Sequence, residues 1–300
     1  MTGRANGLPL RRGRRAAPTV AALVPFAIQS VAALALAGCA TLGTVPGDAK
    51  SDAPPTPSQS NLTSLTEVVQ QHPNDPQAYN MRGSIFGETD HLDQALADFS
   101  KAISLDPNYA QAYANRGLIY RKTNKLDLAL ADYNKSLAIN SSYAPAYLGR
   151  GVVYRLQGAS TQALADFNKA IGLQPDHAEA YYDRGLLYQM QKQHQYAIDD
   201  FTTALGLTTQ KTDPLIARAL SYLASGDVKS AATDLDEAVQ LQPQNLKAWA
   251  SRGLAYERLG EKEKAAGSYA KALNLDDKYE PAKAGFARVG GKPGQSYETF

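Results

Sequence analysis

The chain has one cysteine, Cys39, among its 300 residues, so no internal disulfide framework can staple it. It has four histidines, His72, His91, His177 and His194. None forms an HExxH or similar ligand pair, and most fall near turns of the register described below. They read as loop histidines, and no metal is expected. The chain has no glycine-rich phosphate loop, and no Ser-His-Asp grouping stands in a strand–turn–helix setting. These gaps leave no catalytic residue and no cofactor to assign, so the chain does not read as an enzyme. An excess of one charge is also missing. Basic and acidic residues number 31 and 29, with no basic field to hold nucleic acid. Nor does any stretch alternate at period two, as strands would require.

One pattern stands out instead, repeated six times at an interval of 34 residues. An aromatic (Leu once) is followed by two residues, Arg-Gly (Arg-Ala once), two residues and an aromatic. The arginines are Arg82, Arg116, Arg150, Arg184, Arg218 and Arg252. A period of this length marks a solenoid, in which stacked units bury a face none could bury alone. Both halves of each unit have helical spacing. In the second, Tyr113, Leu118, Ile119 and Tyr120 make one apolar face, and Leu128, Ala129, Tyr133, Leu137 and Ile139 make the next. The turn between them holds Asn124. Its equivalents Asp90, Gly158, Gly226 and Gly260 suit the left-handed conformation that ends a helix. The fourth repeat has Lys192 there, which predicts strain or a different turn.

The first repeat carries Tyr79, Gly83, Phe86, Ala95, Phe99, Ala102 and Pro107, and the third Tyr147, Gly151, Tyr154, Ala163, Phe167, Ala170 and Pro175. These residues resemble the tetratricopeptide repeat. Departures are mild: Ser136 for Ala, Ala219 for Gly, and Leu215 and Leu235 for aromatics. The resemblance implies an all-α fold, a right-handed α-solenoid of six helix–turn–helix repeats over residues 76–279. It also implies capping helices, placed at 62–75 and 280–291, with a flexible tail at 292–300.

The N-terminus reads as something other than fold. Arg4, Arg11, Arg12, Arg14 and Arg15 precede an uncharged stretch of 23 residues, Ala16 to Gly38. Leu36-Ala37-Gly38-Cys39 then resembles the bacterial lipobox, implying a signal peptide over 1–38 and lipidation of Cys39. Removing that leader leaves 26 basic against 29 acidic residues, a net −3. From residue 39 to 61 the chain is polar and rich in Pro, Ser, Thr and Gly, a tether rather than a core. With Ala40 after the cysteine, resemblance to Gram-negative lipoproteins places the protein at the outer membrane, facing the periplasm.

The arginine recurring at position 7 of each repeat needs a partner if it is buried. Asp98, Asp132, Asp166, Asp200 and Asp234 recur at position 23, with Ser268 in the sixth repeat. A ladder of Arg–Asp pairs follows, able to bridge adjacent repeats. In this family, positions 5, 9 and 12 of the first helix line the concave face. Leu148, Val152, Tyr182, Leu186, Ile216 and Leu220 therefore make an apolar groove, rimmed by Arg121 and Arg155. Position 9 is equally readable as core. The Lys/Asn carboxylate clamp of chaperone-binding relatives is absent.

The expected function is a membrane-anchored adaptor that binds envelope proteins or peptides in the groove, resembling tetratricopeptide lipoproteins of the NlpI type. The alternative is a pilotin or assembly factor for a secretin or barrel protein. A small-ligand binder or enzyme is more distant. Self-association into a homodimer is a further possibility.

Overall fold

A computed structural model describes residues 57–297, which form fourteen α-helices and no strand among the described residues. The expected signal peptide, Cys39 and the tether up to residue 56 lie outside the described residues, as do residues 298–300. α1 (Pro57–Gln71) leads into six helix pairs. They are α2 (Pro76–Glu88) with α3 (Leu92–Leu105), α4 (Ala110–Lys122) with α5 (Leu126–Ile139), and α6 (Ala144–Leu156) with α7 (Ser160–Leu173). Then follow α8 (Ala178–Met190) with α9 (His194–Leu207), α10 (Thr212–Ser225) with α11 (Val228–Leu241), and α12 (Leu246–Leu259) with α13 (Lys262–Leu275). α14 (Glu280–Arg288) closes the stack.

Each helix packs on its neighbours in the chain. Each first helix also approaches the first helix of the next repeat, from α2·α4 through to α12·α14, whereas second helices make no such approach to one another. The stack therefore curves with its first helices on the inside.

The recurrent small residues make this packing possible. A Cβ at Gly83, Gly151, Gly185 or Gly253 would come within 2.6–2.9 Å of the ring on the facing second helix. The fifth repeat changes both sides of that contact, with Ala219 and Leu235 fully buried in one cluster. The alanines at the next small position, Ala95, Ala129, Ala163, Ala197, Ala231 and Ala265, are fully buried. The turn between paired helices is left-handed in all six repeats: Asp90, Asn124, Gly158, Lys192, Gly226 and Gly260 have φ between 57° and 90°. Lys192, at φ 60°, thus adopts the shared turn and bears its strain.

The ends depart from expectation. α1 opens at Pro57 rather than Leu62, so the last residues of the expected tether are helical. Proline suits a first turn, because its missing N–H has no partner to lose there. At the other end α14 stops at Arg288, and Gly290 turns the chain with φ 75°. The following segment folds back on the helix. The Tyr297 hydroxyl accepts from the Lys292 amide at 2.7 Å, and its ring meets Phe286 edge-on. Up to Tyr297, then, the expected flexible tail is a docked turn.

Candidate functional site

The position-7 arginines come first, because a free row of guanidinium groups would itself be a site. They are engaged. Arg82, Arg116, Arg150, Arg184 and Arg218 each donate twice to the aspartate 16 residues on, at 2.7–2.8 Å. These bonds to Asp98, Asp132, Asp166, Asp200 and Asp234 hold the guanidinium pKa values above their ordinary value, against the opposing effect of burial. Each pair joins the two helices of one repeat. The bridge to the preceding repeat is made by Nη1, which reaches Ser100, Asn134, Asn168 or Thr202. Aromatic rings at positions 4 and 11 flank the cation, as Tyr147 and Tyr154 do Arg150 at 5.5 and 5.9 Å. Such stacking favours arginine over lysine.

Arg252 is the exception. Its own repeat offers only Ser268, so the carboxylate comes from Asp236 of the preceding repeat, 2.6 Å from Nε. A pairing rule confined to position 23 fails here. The row at position 25 (Ser100, Asn134, Asn168, Thr202, Asp236) carried the missing signal.

The expected groove divides. Leu148 and Val152 pack against Phe167 and Leu187 and also line a smaller pocket of about 150 Å³ with Arg121, Tyr133 and Glu179. Ile216 is half-buried against the C-terminal core, and Leu220 is exposed. Tyr182 and Leu186 line a cleft of about 880 Å³, together with Arg121, Arg155, Glu179 and Asp183. Its outer wall is the segment from Leu207 to Pro214. The other linkers between repeats close with a turn bond, such as Tyr109 N–H to Asp106 O and Asn245 N–H to Gln242 O. Thr208–Lys211 lacks that bond among the described residues; its Gln210 amide goes to Thr208 Oγ1 instead. This irregular linker lines the cleft.

Polar contacts in the cleft follow a rule of their own. The side chain at position 12 reaches the first helix of the next repeat. Arg155 donates to Asp183 at 2.9 Å. Gln189 donates to the Ala217 carbonyl and to Ser221 Oγ, both at 2.9 Å. Glu257 accepts from Arg288 at 2.7 and 2.9 Å. Arg121 makes no ion pair among the described residues, and its buried Nε has no hydrogen-bond partner. The reason lies at Gly149, which stands where the next repeat has Asp183. A Cβ at Gly149 would collide with the Tyr133 ring. Tyr133 thus excludes the side chain that would have paired with Arg121.

Burial pushes the Tyr133 hydroxyl up to about 12, although the Arg121 charge and a hydrogen bond with the Arg121 side chain oppose this. Burial also pushes the Asp183 carboxyl above its ordinary value, with Glu179 adding to the shift and Arg155 and Arg121 opposing it. The Tyr182 hydroxyl is pushed up to about 12, chiefly by burial. The described residues hold no group of His, Cys, Asp and Glu able to bind a metal, and no helix long and apolar enough to cross a membrane.

Comparison with known proteins agrees with this architecture. The TPR repeat profile matches residues 83–122, 117–158 and 151–192, and a second tetratricopeptide repeat profile matches 216–280. No curated protein sequence matches the chain significantly. A chain of the APC/C Cut9–Hcn1 hetero-tetramer is similar in structure with TM-score 0.70 and 16% identity over 78% of this chain. The present chain spans about half of that chain, 46% of its length. YrrB, described as a TPR protein with an unusual peptide-binding site, is 25% identical over 62% of this chain and 96% of its own, with TM-score 0.52. Pseudomonas aeruginosa PilF is 20% identical over 71% of this chain and 97% of its own, with TM-score 0.64. At that identity the Cut9–Hcn1 chain and PilF speak to fold alone.

Proposed function

The chain belongs to the tetratricopeptide-repeat family, and from that premise we propose that it is a protein-interaction scaffold. It holds an extended segment of a partner against the concave face between the third and fifth repeats. The observation that carries this reading is the open cleft on the first-helix face, where half-buried Tyr182 and Leu186 stand beside charged side chains. A surface with apolar floor and polar walls suits a peptide, which brings both backbone hydrogen bonds and side chains. YrrB, similar over most of its own length, is described as having a peptide-binding site, which supports the same reading.

The lipobox-like sequence ending at Cys39 adds a location. Lipidated there, the solenoid would stand off a bacterial membrane on the tether, and its partners would be envelope proteins. More than one acyl chain makes such anchoring stable.

Two experiments test the reading. Envelope proteins are captured with the wild-type chain and with a folded Tyr182→Glu/Leu186→Glu variant; proteins recovered only by the wild type support the groove, and identical recovery removes it. Mass spectrometry of the mature N-terminus tests the anchor. A lipidated Cys39 supports it, and an intact leader or free thiol contradicts it.

A further inference from the structure

We infer that Arg121 is the recognition element of the cleft, and that it receives the carboxylate side chain of an acidic residue in the bound peptide. The inference rests on the peptide-binding reading above and adds the chemistry of what is bound.

The argument begins with the cross-repeat rule. Arg155, Gln189 and Glu257 each find a partner on the next first helix. At Arg121 the rule breaks, because Gly149 offers no side chain and Tyr133 leaves no space for one. The guanidinium lines the cleft with its Nε buried and unpartnered. A buried donor without an acceptor is costly, and a carboxylate is the group that satisfies a guanidinium fork best. Asp183 does not serve, since it is bonded to Arg155 and forms no ion pair with Arg121. Arg155 itself keeps a second buried, unpartnered Nε beside the same space.

The surroundings choose among anions. Asp176, Glu179, Asp213 and the buried Asp183 line the same cleft, facing Arg121, Arg155 and Lys211. A phosphate, with a charge between about −1.5 and −2, would be repelled by these acids more strongly than a singly charged carboxylate. The cleft therefore fits an aspartate or glutamate within a peptide, with Tyr182 and Leu186 left for an apolar neighbour.

The test pans a random dodecapeptide phage library on the immobilised full chain. The selected peptides should share an acidic residue, and converting it to its amide should weaken binding about tenfold or more. Arg121→Gln should cause a similar loss. The amide peptide should then lose nothing further on Arg121→Gln, the signature of two groups in direct contact. The amide peptide on the wild-type chain reads the same contact without altering the fold. Peptides without a shared acid, or an amide penalty that persists on Arg121→Gln, overturn the inference. If such peptides are still blocked by Tyr182→Glu/Leu186→Glu, the groove reading survives. If nothing selected is blocked by that variant, both fall.

Discussion

The carboxylate of Asp236 in the fifth repeat holds Arg252 of the sixth, with Oδ1 2.6 Å from Nε. Arg252 is only 2% exposed, so a charge is buried across the joint between two repeats. Elsewhere the aspartate lies in the arginine's own repeat. Here it has moved to the preceding one, and Ser268 fills the vacated position with a hydroxyl. The requirement kept by the fold is a carboxylate at each position-7 guanidinium, whichever helix supplies it.

Asp236→Asn should therefore loosen the joint between the last two repeats by about 2 kcal/mol, less than a fully buried pair because Asp236 is partly exposed. Adding Ser268→Asp should restore most of the loss by returning the pair to its usual place. Urea unfolding of the wild type, single and double variants checks this, and a double variant no better than the single would count against it.

The regular pairs should be strongly non-additive. Arg150→Leu leaves Asp166 buried without its cation and should cost about 3 kcal/mol. Arg150→Leu with Asp166→Ala removes both charges and should cost clearly less. Equal losses would mean that the ion pair is incidental.

Lys192 holds a backbone conformation that glycine adopts without strain. Lys192→Gly should stabilise the fourth repeat by up to about 1 kcal/mol, since relief of the turn outweighs the greater freedom of glycine in the unfolded chain. A lower melting temperature would contradict this.

Gly149 has the opposite need. Gly149→Ala would press a methyl group into the Tyr133 ring, and the substitution should cost about 1–3 kcal/mol. A neutral effect in thermal unfolding would show that Tyr133 yields, and that a side chain could stand opposite Arg121.

Acid should release the C-terminal end first. The bond from Arg288, aided by Tyr269, holds the Glu257 carboxyl below its ordinary 4.5. A lowered folded pKa gives stability that is present above 4.5 and lost as pH falls through the folded value. Hydrogen exchange over residues 280–297 should thus rise below about pH 4.5, while the central repeats stay protected. Loss of protection everywhere at one pH would contradict it.

The repeat made the solenoid legible in the sequence. Position 7 and position 23 gave five of the ion pairs, because both recur at the same interval. Arg252 escaped that reading because its partner lies at position 25, where serine, asparagine and threonine disguise a bridging row. Register alone did not tell how deeply Leu148 and Val152 sit between neighbouring helices, where they are largely buried and still line a small pocket. Arg121 was visible as a rim cation, but its lack of an ion-paired carboxylate was not. That depends on Tyr133 filling the space at Gly149, a contact between residues with no shared period. The irregularity of Thr208–Lys211 along the cleft was hidden too, since that linker differs from the others in a backbone bond.

The proposal divides the chain into recurrent residues that stack the repeats and exceptions that would bind a partner. Comparing Arg150→Gln with Arg121→Gln tests that division. Both are measured for thermal unfolding and, at a temperature where both are folded, for affinity toward one groove-binding peptide selected on the wild-type chain. Arg150→Gln should lower the melting temperature and keep the affinity; Arg121→Gln should keep the melting temperature and lose about tenfold or more in affinity. If Arg121→Gln unfolds early and binds normally when folded, the exceptional arginine is structural like the rest, and the division fails.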